Sequence, residues 1–253
     1  MKTMMVATIL VSVLIGASAL GHDITLWPDQ DGKLIKLNMH FGDPGDYQPI
    51  DKVRFVELTV IDSKGVKISF LRDIERSVDT RLLTTPNLRL GDWPGGTYLV
   101  ESRYDNGFYI HDGENRAIAT TREWFPDAID SAHYMKFSKA LFRIGASSGG
   151  YDRTVGHRLE LIPRADPFAA KDGSALPVEV RFDGQVLQDH IVELGDDTAA
   201  SKGPELRTDS KGTVLVKLDH KGFYRLAVDH RAPSRYPELF LFDDYTASLV
   251  FAR

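Results

Sequence analysis

"GHDITLWPDQDGKLIKLNMHF", residues 21–41, holds two short apolar-rich runs, Asp23 to Trp27 and Leu34 to Phe41. The cluster Pro28-Asp29-Gln30-Asp31-Gly32 between them is turn-forming. In the second run Leu34, Ile35, Leu37, Met39 and Phe41 come close to strict alternation, the period of a half-buried strand. Two such runs joined by a Pro/Asp-Gly loop predict a β-hairpin. With the loop centred near residues 30–32, paired positions sum to about 61–63. His22 then falls opposite residues 39–41, a window that contains His40. Directly opposed side chains have Cβ atoms ~5 Å apart, so two imidazoles there could share one metal ion. A slip of one residue would turn them to opposite faces.

The rest of the chain repeats this pattern of short strands and tight turns. Strands are predicted at Val53 to Ile61 and Val66 to Leu71, around the turn Ser63-Lys64-Gly65. Thr97 to Tyr104 and Gly107 to Ile110 flank Asp105-Asn106 and predict a second hairpin. Tyr134 to Ile144, "YMKFSKALFRI", has helical propensity but strand-like boundaries and neighbours. "GASSGG", residues 145–150, is the most linker-like stretch. Beyond it strands are predicted at His157 to Ile162, Leu176 to Phe182, Ile191 to Leu194, Thr213 to Leu218, Phe223 to Val228 and Ala247 to Phe251. "LGDWPGGTYLVES" in the first half and "LDHKGFYRLAVDH" in the second each carry Leu, then Gly, one residue and Tyr (Tyr98, Tyr224) entering a strand. A tyrosine so placed suggests the tyrosine corner of Greek-key sandwiches. The fold expected is all-β, with two immunoglobulin-like, Greek-key β-sandwich domains over residues 22–145 and 146–253.

Residues 1–21 read as a secretory signal peptide. Lys2 supplies a positive start, Met4 to Ile15 an apolar stretch broken only by Thr8 and Ser12, and Gly16 to Ala19 the small residues. The run is shorter than the ~20 residues a membrane span needs, and no second apolar run follows, so the mature chain is expected to have no membrane span. Two cleavage registers fit. Ala17 and Ala19 would release a chain starting Leu20-Gly21-His22, whereas Ala19 and Gly21 would release one starting at His22. Both products chelate metals. A terminal histidine offers its α-amine and ring Nδ1. A histidine in third place offers its ring, the amine and two backbone nitrogens in a plane, a set suited to Cu(II) or Ni(II). The expected compartment is the periplasm.

Composition narrows the chemistry further. The chain has 253 residues, a net charge of -5 and no Lys/Arg block, which argues against nucleic-acid binding. It has no cysteine, which excludes disulfides, thiolate metal sites and cysteine nucleophiles, and it has eight histidines. No P-loop or GxGxxG motif is present, and GASSG at residues 145–149 fits G-x-S-x-G in its letters but lacks an attached helix start and a matched base, so a non-enzymatic role is expected. No histidine pair has HExxH or His-x-His spacing, so a histidine site must be assembled from separate strands. His22, His40, His111 and His133 lie in the first half, with His40 and His111 at strand ends, where binding residues concentrate. His157, His190, His220 and His230 read as strand, turn or surface residues without a role.

Taken in order, "GHDITLWP", "HFGD", "KFSKALFRIG", "GHRLELIPRADP", "VEVRFDGQVL", "RTDSKGTVLVKLDHKGFYRLAVDH" and "ASLVF" resemble an exported bacterial family catalogued as a domain of unknown function. Some of its members accompany nickel uptake systems as periplasmic accessory components. The resemblance spans nearly the whole mature chain. It implies an extracytoplasmic binder of divalent metal, Ni(II) or else Cu(II), that delivers its ion to a membrane metal-uptake transporter component. His22 and His40 match the family's motifs and are the implied ligands, with His111 and His133 matched by position. Two other readings compete. Trp27, Trp93, Trp124 and Tyr151 at loop ends suggest a carbohydrate- or protein-binding sandwich module without metal. The N-terminal histidine suggests a copper histidine-brace redox enzyme. Sequence does not fix the oligomeric state.

Overall fold

The structure is a computed structural model that describes residues 22–31, 34–43, 45–89, 93–114, 116–146, 148–195 and 203–253. The expected signal peptide, 1–21, lies outside the described residues. Eleven strands of five or more residues are described: β1 Ile24–Asp31, β2 Leu34–Asp43, β3 Phe55–Ile61, β4 Gly96–His111, β5 Asp130–Ile144, β6 Leu159–Pro163, β7 Ala175–Phe182, β8 Ile191–Gly195, β9 Thr213–Lys217, β10 Phe223–Pro233 and β11 Phe242–Ala252. Helix is confined to two three-residue 3₁₀ turns among the described residues, and the class is all-β sandwich, as the strand and turn spacing predicts.

Three sheets are stacked. The central one runs β8-β10-β11-β5-β4-β3, extended by Glu205–Arg207 beside β8 and Lys67–Ser69 beside β3. β1 and β2 form an outer sheet with the short segments Leu83–Thr84 and Glu75–Arg76. β6, β7 and β9 form the other outer sheet. Alternation along each central strand feeds two cores. Tyr98, Val100, Tyr104, Ala140, Phe142 and Val250 face Ile24, Leu26, Leu37 and Met39 of the first outer sheet. Leu99, Phe137, Leu141, Leu249 and Phe251 face Leu159, Leu161, Val178 and Val216 of the second. The two cores lie on opposite faces of one shared sheet, and each draws side chains from both halves of the chain. The join is parallel, with β5 and β11 paired from Ala132↔Phe242 to Leu141↔Phe251.

This pairing settles the ambiguous segment. "YMKFSKALFRI" lies inside the 15-residue strand β5, sandwiched between β4 and β11. Helical propensity there yields to ladder hydrogen bonds on both sides and apolar contact on both faces. A second expectation needs correction. Asp105-Asn106 is not a hairpin turn. β4 passes straight through it as one 16-residue strand, and Asn106 is an extra residue where the register shifts opposite Tyr134/Met135. A type I′ hairpin needs positive φ at both turn residues. Here only Gly107 has it, at 85°, while Asp105 Oδ1 accepts its N–H at 2.9 Å.

The hairpin at the start forms, with a different register. Ile24 pairs with Phe41 and Asp31 with Leu34, so paired positions sum to 65 and not to about 61–63. Pro28, Asp29 and Gln30 belong to the strand, because β1 is an edge strand and an edge tolerates a proline without its N–H. Both strand-entry tyrosines behave as tyrosine corners. Tyr98 Oη donates to Pro94 O at 2.6 Å and Tyr224 Oη to His220 O at 3.1 Å, each four residues back.

A buried cation fastens each outer sheet to the central one. On one face, Arg225 of β10 donates to Asp23 Oδ1 at 2.7 Å and to Thr25 Oγ1 at 3.3 Å. On the other, Lys139 of β5 donates to Glu160 Oε1 at 2.9 Å and to the carbonyls of Leu161 and Arg153, both at 3.0 Å. Burial presses the Lys139 pKa down against the pull of Glu160. Removing one partner of a buried pair strands the other charge. Glu160→Ala should therefore cost about 3–5 kcal/mol in urea unfolding. Lys139→Met with Glu160→Leu should recover most of that loss, and a double variant as unstable as the single one would contradict the pairing.

Candidate functional site

The register decides which histidines can meet. Gly42 N donates to Asp23 O at 2.9 Å, so the sum of 65 continues past β1 and sets His22 opposite Asp43. His40 pairs with Thr25. Side chains two residues apart share a face of a strand, so His22 lies on the face of Ile24 and Phe41, and His40 on the other. The expected His22–His40 pair does not form, because the loop is centred later in the chain than the Pro/Asp cluster suggests. The ring of His22 meets Phe41 edge-on at 5.7 Å, and Phe41 stacks on Tyr104 at 5.8 Å. His40 stacks on Tyr47 at 4.2 Å, and its Nδ1 lies 3.1 Å from Arg81 O. Burial lowers the His40 pKa, outweighing the Arg81 carbonyl contact.

His111 and His133 are each elsewhere. His111 Nδ1 is 3.7 Å from Asp130 Oδ2, its cross-strand partner. His133 is opposite Phe108, three pairs further along, and so faces the other side of the sheet. Its Nε2 is 2.9 Å from Asp105 Oδ1 and its Nδ1 3.8 Å from Asp243 Oδ1. It lines a cavity of about 360 Å³ with Arg103, Arg158 and Arg235. The four histidines occupy four separate places, and no cluster of three or more metal-ligating His, Asp or Glu side chains occurs among the described residues. A histidine brace made by His22 and His40 is likewise not formed.

What the sequence did not reveal is the polar cluster around Asp23. Asp23 gives Oδ1 to Arg225, which also reaches Asp43 Oδ1 at 3.4 Å. Asp23 Oδ2 is buried without a hydrogen bond, and so is His22 Nδ1. Two donor atoms on consecutive residues are therefore left open at the start of β1. The strand is anchored there from below: Ser138 and Ser248, paired across β5 and β11, share a hydrogen bond of 2.7 Å, and Ser248 Oγ donates to Ile24 O at 2.6 Å. Lys136 of β5, fully buried, lies in the field of Asp23, Asp244 and Asp229, and burial pushes its pKa down to about 8.

Of the aromatic residues that suggested a sugar-binding face, Trp93 stacks on Tyr98 at 5.2 Å and Tyr151 packs on the second core. Trp124 is 76% exposed. Trp27 meets Phe223 edge-on at 4.8 Å and lines a groove of about 410 Å³ with His40, Tyr47 and Asn38.

Fold and site define an all-β sandwich protein with open donor atoms where its first strand begins. The chain belongs to the family described as Domain of unknown function (DUF4198), which matches residues 19–232. No curated protein matches it. Among solved structures, the tetra-tandem repeat in the extending region of a large adhesion protein is similar at 10% identity over 91% of this chain and 49% of that one, with a TM-score of 0.27. The Bacillus anthracis TIE protein is similar at 10% identity over 94% of this chain and 41% of that one, with a TM-score of 0.19. The chain spans less than half the length of either.

The Lys136 environment gives a signed pH test. Between pH 8 and pH 10.5 the unfolded chain keeps a proton on this lysine that the folded chain has released, so this group's contribution to stability rises with pH across that window. Lys136→Met should be more stable than the parent by up to about 3 kcal/mol at pH 7. The gap should close towards pH 10.5, as read by denaturant unfolding at each pH; a gap constant from pH 7 to 10 would show that Lys136 is not under desolvation stress.

Proposed function

We propose that the protein is an exported metal-binding protein that takes up Ni(II), or Cu(II), at its mature N-terminus and passes it to a membrane uptake transporter. The observation that carries this reading is the pair of buried, unpartnered donors His22 Nδ1 and Asp23 Oδ2 on adjacent residues. A buried polar atom left without a partner costs about 1–3 kcal/mol, a cost that a cation held by His22 would remove at Nδ1. Cleavage after Gly21 would add the α-amine of His22 to the set. Cleavage after Ala19 would instead supply the amine and backbone nitrogens of Leu20 and Gly21. Either set is rich in nitrogen, which favours Ni(II) and Cu(II). Arg225 holds Asp23 by its other oxygen and so fixes the direction of the free one. His40, His111 and His133 fall outside this ligand set. Imidazole must be neutral to bind, so affinity falls below about pH 6. The resemblance to proteins that accompany nickel uptake systems supports the transport role.

A second reading, a carbohydrate-binding module, draws on the groove beside Trp27 and Tyr47, with Asn38 and Asp29 at hand for hydroxyl groups. Glycan binding that survives both EDTA and His22→Ala would favour it.

The test of the first reading is isothermal titration of the exported, tag-free protein, with its N-terminus defined by mass spectrometry. Nickel or copper should bind with a Kd below ~10 µM, and His22→Ala should weaken that binding at least tenfold. Undiminished binding by His22→Ala, or none tighter than ~10 µM by the parent, would rule the site out.

A further inference from the structure

Two histidines without an expected role meet on the far side of the central sheet. Val192 pairs with Val228, and two positions along the same ladder His190 stands opposite His230. Their rings are 5.1 Å apart, and His190 Nε2 lies 3.0 Å from His230 Nδ1. His190 Nδ1 is 2.9 Å from Gln188 O. A carbonyl only accepts, so Nδ1 carries the proton and Nε2 of the neutral ring presents its lone pair. Metal-binding histidines are commonly held in this way, with the non-ligating nitrogen donating to a carbonyl.

Both rings are fixed in advance. Asp189, just before His190, has a φ of 56°, an uncommon backbone state for a residue other than glycine. Arg207 Nη1 donates to Asp189 O at 2.9 Å and to its Oδ1 at 2.8 Å, and His190 N donates to Thr208 Oγ1 at 2.9 Å. The ring of His230 rests on Phe182 at 4.2 Å. Burial and the neighbouring His190 both lower the His230 pKa, which keeps it neutral at pH 7.

We propose that His190 and His230 form a second metal site, taking a borderline divalent cation such as Cu(II), Ni(II) or Zn(II) in neighbouring coordination positions. Two nitrogens 3.0 Å apart, each about 2.1 Å from a metal, subtend roughly 90° there, the angle of adjacent corners in square-planar or octahedral coordination. Solvent would complete the shell, since no third metal-ligating side chain joins the pair among the described residues. His230 binds through Nδ1 by moving its ring proton to Nε2, so both rings stay neutral and no proton is lost. The site is independent of the N-terminal one and does not depend on where the signal is cut.

The experiment uses the tag-free His22→Ala protein, so that the first site cannot contribute. Titration with Cu(II) should give about one equivalent bound with a Kd below ~100 µM, with nitrogen couplings from two imidazoles in the electron paramagnetic resonance spectrum. His190→Gln added to this background should weaken binding at least tenfold and remove those couplings. His190 is half-buried at the start of its strand, so this variant should melt as the parent does; His230→Gln is the second test. Absence of Cu(II) binding to His22→Ala, or binding and couplings unaffected by both glutamine variants, would overturn the proposal. Loss of the first site alone would leave it standing.

Discussion

Parallel pairing of β5 with β11 is the constraint on which the other layers depend. It joins segments more than a hundred residues apart and buries both faces of each strand. A strand covered on both sides has no solvent face, so every polar residue on it must find a partner inside the protein. β5 carries Lys136, Ser138 and Lys139, and each meets that demand in its own way. Ser138 bonds Ser248, which holds the first strand. Lys139 is saturated by Glu160 and two carbonyls. Lys136 has the field of Asp23, Asp244 and Asp229 and the face of the Tyr134 ring, 5.5 Å from its Nζ. The anchored residues define the scaffold, and Lys136 sits beside the candidate site.

Strand and turn positions were legible because alternation and Asp/Gly/Pro clusters are local signals. The tyrosine corners were legible for the same reason, each closing over four residues. Register was not. Whether His22 faced His40 turned on whether Pro28 to Gln30 lay in the loop or the strand, and composition favours the loop while an edge position permits the strand. Asp105-Asn106-Gly107 likewise has hairpin chemistry, which the long β4–β5 ladder overrides with a bulge. The unpartnered Asp23 oxygen could not be foreseen, since it depends on Arg225 about 200 residues away. His190 and His230 belong to strands that adjoin in the sheet but not in the chain, and the segment between them hides the pairing.

Electrostatically, the two faces of the central sheet are treated differently. On the Lys139 face the charges are matched by short bonds to groups of fixed position. On the Lys136 face a lysine and an arginine share the carboxylate of Asp23, one oxygen of which has no hydrogen bond. A divalent cation arriving at that oxygen would enter the field of Lys136 and depress its pKa further. Metal uptake there would then be accompanied by release of a proton from the lysine, and occupancy would be tied to pH through a group that never touches the metal.

The position of β11 also governs the order in which the molecule can assemble. Strands β1 to β5 can begin to collapse on their own, but one edge of β5 remains unpaired until residues 242–252 arrive. Until then a long apolar edge is open to any other extended chain. Parallel contacts over such a separation carry a large loop-closure cost and form slowly. A nascent chain would therefore lack this pairing until the last strand is made. If the protein is exported as proposed, and so threaded through a membrane before it folds, that delay is an advantage.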